Sequence, residues 1–194
     1  MLDQNLVADL KSATESYDVA RRKLIGMSDD VRNAAKRSIF AMHREDFEKA
    51  DALLAEAVAK LADIRQHAEG KPARLLEEGS YRAGLEEYVE ARLYRDYLDR
   101  GNVGSVEIEG MNVPADVYLG GLSDLVGELQ RRQVRAATSG ELEEVKRIRD
   151  AAEEIVAALL EMDLTGYLRN KLDQAKNGFR RAEDTLYEIS IRRK

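Results

Sequence analysis

Four carboxylates occupy helix positions where apolar side chains are expected. At about 100° per residue, Glu87 and Glu90 fall within the apolar arc that also carries Tyr94. On a later helix, Glu128 falls between apolar residues and Asp124 lies at the edge of the same apolar stripe. A carboxylate held near a core costs free energy unless it is protonated, paired or bound to a metal. These acids are therefore the strongest indication of function in the sequence.

If the two helices pack together, the four acids can form an all-oxygen site. Hard divalent cations such as Mg²⁺ or Mn²⁺ prefer that set of ligands. A metal held there can polarise a phosphodiester and lower the pKa of an attacking water. The alternatives from the pattern alone are a solvated helix surface, a contact between subunits, or the lining of an enclosed chamber.

The histidines and Glu86 are better explained by surface exposure or packing than by catalysis. A di-iron bundle uses Glu-x-x-His pairs, and neither His43 nor His67 follows a glutamate by three residues. Both histidines are expected at the surface or in packing rather than in catalysis, although His43 stands beside apolar positions and can point inward. Glu86 lies nearer to Arg82 on the polar side of its helix and is expected at the surface.

Basic clusters supply candidate contacts for phosphate groups. Each cluster alone is more typical of a solvated face or of pairs within a helix. Arg131 is better placed than most, because it follows Asp124 by seven residues, which is about two helical turns. A guanidinium there can pair with the acids and grip a phosphate. The clusters are Arg21–Lys23, Lys36–Arg37 and Arg131–Arg132.

Composition excludes several classes of protein. With 194 residues, of which 44% are hydrophobic and 35% charged, the chain suits one helical domain over residues 1–194 rather than a disordered segment. The absence of cysteine removes disulfides, thiolate metal sites and cysteine nucleophiles. A net charge of −6 means that nucleic acid could bind only where Lys and Arg gather locally. No membrane span, signal peptide, Gly-rich phosphate loop or Ser-His-Asp arrangement is evident, so a soluble cytoplasmic protein is expected.

The apolar periodicity predicts an all-α domain of roughly seven helices. A weak strand is predicted at 105–109, within a glycine-containing break over 101–113. A capping box formed by Thr138 and Glu141 is expected to start the sixth helix. The predicted helices cover about 3–25, a segment after Ser28, about 46–70, a segment after Pro72 up to Gly101, about 114–137, a segment that starts at the Thr138 capping box, and about 164–192.

Five segments, in order along the chain, resemble the translin family. The resemblance is closer to its translin-associated factor X (TRAX) branch, in a compact single-subunit prokaryotic or archaeal form, than to translin itself. Any one of the segments would be weak, but together they extend over nearly the whole chain. They are Ala35–Arg44, Leu85–Ala91, Val113–Gly121, Asp124–Arg131 and Tyr187–Arg192.

This resemblance implies a seven-helix subunit that assembles into a hollow octamer enclosing RNA or single-stranded DNA. TRAX-type subunits of the family are Mg²⁺-dependent endoribonucleases, and their acidic residues match Glu87, Glu90, Asp124 and Glu128 here. The basic N-terminal extension of eukaryotic members, and their longer connection between the fourth and fifth helices, appear shortened or missing. A homo-oligomer in a prokaryote-like cytoplasm, without a membrane role, is therefore expected.

The leading hypothesis is a metal-dependent endoribonuclease that uses these four acids as catalytic metal ligands for Mg²⁺, with Mn²⁺ as a substitute. Arg131, with Lys36 and Arg37, would position the RNA backbone, and nothing in the sequence resembles a base-reading module. One alternative is a non-catalytic shell that binds single-stranded RNA or DNA. Another is a helical scaffold with no nucleic-acid role.

Overall fold

The computed structural model describes residues 2–192, the last of them by its backbone alone. No β-strand is formed within this range, so the predicted all-α class is confirmed. A short 3-10 turn, Ala73–Glu77, precedes the third helix. The helices are α1 (Gln4–His43), α2 (Phe47–Ala68), α3 (Gly79–Arg100), α4 (Ala115–Ser139), α5 (Leu142–Leu160) and α6 (Gly166–Arg192).

The helix boundary predicted near Gly26 is wrong, because α1 runs unbroken for 40 residues. One glycine in a helix costs about 1 kcal/mol relative to alanine. Buried Leu24 and Val31 continue the apolar stripe on either side of it and outweigh that cost. Ser28 does not cap a new helix; its hydroxyl donates to the Leu24 carbonyl oxygen at 2.7 Å within α1. Residues 2–192 therefore form six α-helices, where roughly seven were expected.

Most other predicted boundaries agree with the structure, and two local predictions do not. The Asp46 side chain caps α2, and Gly101 in the left-handed conformation (φ 73°) ends α3. The capping box is wrong, because the Thr138 hydroxyl donates to Val134 O inside α4 and Glu141 makes no side-chain cap bond. The strand predicted at 105–109 is also wrong: that segment contributes one isolated bridge, from Ile108 to Met111, and residues 2–192 provide no partner strand to extend it.

The helices pack around one apolar core. α1 packs against α2 and α3, α3 packs against α4, and α4 packs against both α5 and α6. Buried residues from all six helices belong to a single cluster. Within residues 2–192 we find no helix of the length and apolarity that crossing a bilayer requires.

Two adjacent glycines bring α4 close to α3. A Cβ atom at Gly121 would lie 2.9 Å from the Glu90 backbone nitrogen and 3.0 Å from the Glu86 carbonyl oxygen. A Cβ atom at Gly120 would overlap the Glu86 carboxylate. Only glycine permits such an approach of two helices. The two helices that carry the acidic residues are thus in contact beside those residues.

Candidate active site

The structure brings together the four acids singled out in the sequence. Glu87 and Glu90 on α3 interact electrostatically with Asp124 and Glu128 on α4, and we call these four residues the acid cluster. None of them points into open solvent: the side chains of Glu87, Asp124 and Glu128 are at most 26% exposed, and Glu90 is 8% exposed. The cluster is therefore a shielded concentration of negative charge.

Glu90 is the least compensated member of the acid cluster. Among residues 2–192 its carboxylate makes no hydrogen bond and no ion pair. Burial raises the pKa of Glu90 well above its usual range, and the charges of Asp124, Glu87 and Glu128 raise it further. Lys171 opposes this only in part. A buried carboxylate in this state is stabilised either by a proton or by a cation.

Lys171 of α6 supplies a positive charge that sequence reasoning missed. Its ammonium group pairs with Asp124 and lies 2.8 Å from Glu86 Oε1, while the Tyr167 hydroxyl donates to the same oxygen at 2.6 Å. Burial alone would lower the pKa of Lys171, but these partners outweigh it and raise the pKa. The prediction that Glu86 lies at the surface is wrong, since it is only 9% exposed. The reason is that α6 covers this side of the site.

Asp124 remains a poorly stabilised anion despite that lysine. Burial raises its pKa, the hydrogen bond from Lys171 lowers it, and the charges of Glu86 and Glu128 raise it again. The net direction is upward. One ammonium group is therefore shared between two carboxylates and does not neutralise the site.

His43 at the end of α1 holds Glu128. It is buried, its Nε2 atom contacts Glu128 Oε2, and the Tyr94 hydroxyl lies 3.2 Å from its Nδ1 atom. Burial raises the pKa of Tyr94 beyond the ordinary range, so the phenol keeps its proton and can donate to Nδ1. In a neutral ring this places the imidazole hydrogen on Nε2, where it is donated to Glu128. The inward orientation considered for His43 is thus observed, and it orients a cluster carboxylate.

The predicted cations lie at the edge of the acid cluster. Lys36 Nζ is 3.5 Å from Glu87 Oε2, and Arg131 Nη1 is 3.8 Å from Glu128 Oε2. Burial raises the pKa of Glu87, with Lys36 acting in the opposite direction. Both cationic side chains remain more than half exposed, so each can contact a ligand as well as its carboxylate. Arg37 makes no ion pair among the described residues and lines a neighbouring groove.

The donor set fits a hard divalent cation by its chemistry and charge. Carboxylate oxygens are the ligands that Mg²⁺ and Mn²⁺ prefer, and Glu90 has no other neutralising contact in the described part of the chain. Within that part, no three Asp, Glu or His side chains stand at coordinating distance around one point. Lys36, Lys171 and His43 instead each hold one carboxylate of the acid cluster, and Lys171 also holds Glu86. Metal binding at this site would require those contacts to rearrange.

Comparison with known proteins places this geometry in context. The family model described as "Translin family" matches residues 19–193. Translin-associated protein X of Mus musculus is 23% identical over 98% of this chain and 80% of its own length, and that of Rattus norvegicus is 24% identical over 94% and 77%. The fold is similar to the crystal structure of apo-NeC3PO, with a TM-score of 0.82 at 25% identity over 97% of this chain and 98% of that one. The AfC3PO–duplex RNA complex has the same TM-score at 22% identity over 96% of this chain and 97% of that one.

Proposed function

The chain belongs to the translin family, and from that premise we propose that it is a metal-dependent endoribonuclease with its active site at the acid cluster. The observation that best supports this is Glu90, which is 8% exposed and faces three neighbouring carboxylates with no counter-ion of its own among residues 2–192. A buried carboxylate without a counter-ion destabilises the folded protein, so its presence indicates a functional role. Binding a divalent cation next to an RNA phosphate is a function that requires such a carboxylate.

Glu87, Glu90, Asp124 and Glu128 would hold the cation, which we propose to be Mg²⁺, with Mn²⁺ able to replace it. When bound, such an ion lowers the pKa of a water molecule and neutralises charge on the phosphodiester. His43 keeps Glu128 Oε2 engaged and so fixes the orientation of that carboxylate. Lys171 keeps Asp124 paired and competes with any cation for it.

Arg131 and Lys36 would hold the RNA backbone at the edge of the acid cluster, with Arg37 further along α1. Each of the first two pairs with a cluster carboxylate and is still more than half exposed. A phosphate between them would lie next to the carboxylates. In the proposed reaction, a water oxygen bonds to phosphorus as the bond from phosphorus to the 3′ oxygen breaks. The 3′ oxygen takes up one proton, the water gives up one, and the downstream fragment retains a 5′-phosphate.

The proposed assembly is a homo-oligomer, an octameric shell with RNA inside. Two features support subunit contacts. The first four turns of α1 extend from the bundle with Leu6 and Leu10 more than half exposed, and Leu160 and Tyr187 at other helix ends are similarly exposed. The structure of AfC3PO, which has a similar fold, is of a complex with duplex RNA, and this supports RNA as the ligand. Native mass spectrometry should give a multiple of the 21.8 kDa chain mass.

A non-catalytic shell that binds single-stranded RNA or DNA is the second candidate. It is favoured by the contacts that Lys36, Lys171 and His43 already make, because each satisfies one acid without a metal. In that case the acid cluster would be a structural network between helices. Binding without cleavage would distinguish this function from the first.

The deciding experiment follows the cleavage of labelled single-stranded RNA in Mg²⁺ and in EDTA. We expect cleavage only with Mg²⁺, and we expect Glu90→Gln to abolish cleavage while binding is kept. Glu154→Gln, on the exposed face of α5, is the matched control because it also removes one carboxylate charge. Equal cleavage by the wild type and Glu90→Gln would indicate a contaminating nuclease and contradict the proposal.

A further inference from the structure

A groove beside the acid cluster presents an aromatic ring to solvent. Phe40 is 53% exposed, and it lies on the last turns of α1, three residues before His43. The groove around it has a volume of about 330 Å³. We call it the Phe40 groove; its main lining residues are Lys36, Arg37, Phe40, Arg44, Asp46 and Lys49.

The charges around the Phe40 ring are unusual for this protein. Four of the named lining residues are cations, and Arg37, Arg44 and Lys49 form no ion pair within residues 2–192. The one acid, Asp46, is engaged as the cap of α2, where it accepts from the Lys49 backbone nitrogen at 3.3 Å. The groove therefore combines unneutralised positive charge with a half-exposed aromatic ring, and the Arg44 guanidinium carbon lies over that ring, 5.9 Å from its centroid.

Several cations elsewhere on the surface are paired with an acid. Arg95 pairs with Asp51 at 2.8 Å, and Arg149 pairs with Glu153 at 2.7 Å. Although the whole chain has a net charge of −6, the cations that line the Phe40 groove form a local concentration of positive charge around one aromatic ring. Such a concentration attracts a polyanion, whereas an apolar protein segment would gain nothing from the charge.

The Phe40 groove adjoins the proposed catalytic centre. Lys36 lines the groove and also contacts Glu87 of the acid cluster at 3.5 Å. Phe40 follows Lys36 by four residues, or about 6 Å along the helix axis. That distance is close to two base steps of a stacked strand, at about 3.4 Å each. A strand with one phosphate at the acid cluster can therefore place the base of a nearby nucleotide over Phe40.

We propose that the Phe40 groove is a nucleotide subsite, in which an unpaired base stacks on the Phe40 ring and the flanking phosphates pair with Arg37, Arg44 and Lys49. This inference rests on the proposed nucleic-acid function and adds the preferred form of the substrate. Stacking requires a base with a free face, so single-stranded RNA or an unpaired end is selected over continuous duplex. The subsite tolerates all four bases, because every base has a π face.

The test measures binding of a short single-stranded RNA that contains one 2-aminopurine, in EDTA so that no cleavage occurs. Phe40→Ala should weaken binding about 10-fold, within the range for a stacked base, and should remove the quenching of 2-aminopurine fluorescence. Phe40→Trp should restore both. Arg44→Gln should reduce the slope of log K against log salt by about 0.7. Phe47→Ala is the matched control, since Phe47 is 37% exposed but lies 5.4 Å from Arg95, which Asp51 neutralises.

Four outcomes are distinguishable. Weaker binding in Phe40→Ala, with an unchanged assembly mass and an unaffected Phe47→Ala, supports the subsite. A changed assembly mass in Phe40→Ala would make the ring a subunit contact and overturn the proposal. Unchanged affinity and quenching would also overturn it, while leaving the proposed nuclease intact. If wild-type protein binds no RNA even at low salt, both the subsite and the proposed function fail.

Discussion

The same residue types behave in opposite ways in two parts of this molecule. At the start of α5, Glu143 accepts from Lys146 at 2.9 Å, and this contact lowers the pKa of Glu143. Between α3 and α4, burial and neighbouring acids raise the pKa values of Glu87, Glu90 and Asp124. The first arrangement is an ordinary solvated helix end. The second holds like charges together against their mutual repulsion, which is typical of a site for a cation or a proton.

The difference lies in the number of partners rather than in composition. On α5 and its surroundings, Arg147 and Arg132 both contact Glu144, so that carboxylate has two cations. At the acid cluster the ratio is reversed, because Lys171 pairs with both Asp124 of the cluster and the neighbouring Glu86. Removing a charge from the α5 region is therefore expected to destabilise the protein only slightly. At the acid cluster the effect on stability should be larger, and its sign should depend on whether a cation or an acid is removed. The predictions below test this.

The largest effect is expected from Lys171→Met. The substitution leaves Glu86 and Asp124 without their shared cation in a largely buried place, which commonly costs about 3 kcal/mol of unfolding free energy. Urea denaturation in EDTA measures it. The control is Lys176→Met, also on α6, whose ion pair with Asp173 at 3.4 Å is more exposed and should be worth under about 1 kcal/mol. Equal losses in the two variants would remove the proposed contrast.

Gly121→Ala should separate the two helices at the acid cluster. Its Cβ would lie 2.8 Å from Val89 Cγ1 and 2.9 Å from the Glu90 nitrogen, so α4 must move or the core must distort, at about 2 kcal/mol. Gly127→Ala is the control on the same helix, because nothing lies within 4 Å of its Cβ position and alanine gains up to about 1 kcal/mol there. Thermal unfolding of both variants checks the opposite signs.

Sequence periodicity could predict the acid cluster because each pair of its acids lies on one helix, where the spacing along the sequence fixes which face they share. Glu87 and Glu90 share the arc of Tyr94 on α3, and the same kind of reasoning identified Asp124 and Glu128 on α4. Lys171 could not be found in this way, since its role depends on the packing of α6 over the other two helices. Glu86 was misassigned for the same reason. A helical wheel defines the polar side of one helix and contains no information about which helix covers it.

The prediction for α1 failed for a different physical reason. Gly26 is a valid local signal for a helix end. However, its cost of about 1 kcal/mol is smaller than the free energy gained by burying Leu24 and Val31 in one continuous helix. The consequence matters for the site, because one continuous helix carries Lys36 and His43 to Glu87 and Glu128. His43 itself gave a partial signal by standing among apolar residues. Its partner Tyr94, 51 residues away, is a tertiary contact.

Glu90→Gln should stabilise the protein at neutral pH in EDTA, because burial and the neighbouring acids raise the pKa of Glu90 and so disfavour its charged form in the folded state. The folded pKa of Glu90 is raised, so its favourable contribution is complete below the unfolded pKa and is lost as the pH rises through the folded pKa. The gain from Gln should therefore shrink as the solution is acidified towards the ordinary glutamate pKa. Denaturation curves over a pH series measure this gain.

Glu143→Gln provides the reverse case for the same measurement. The lowered pKa of Glu143 means that its contribution is present above the unfolded pKa and is lost as the pH falls through the folded pKa. Its replacement should destabilise the protein slightly at neutral pH, and the difference should vanish in acid. If both variants changed stability with the same sign, the acid cluster would be electrostatically ordinary.

The smallest effect is expected from Tyr94→Phe, at about 0.5–1 kcal/mol for one hydrogen bond. The control is Tyr97→Phe: burial raises the pKa of Tyr97 to about 12, but its hydroxyl makes no hydrogen bond among residues 2–192. Tyr97→Phe should therefore be nearly neutral. The second readout is the ¹⁵N NMR spectrum of His43, which should show a hydrogen fixed on Nε2 in the wild type and in Tyr97→Phe. Loss of that signature in Tyr94→Phe alone would mean that a residue outside the acid cluster determines how Glu128 is held.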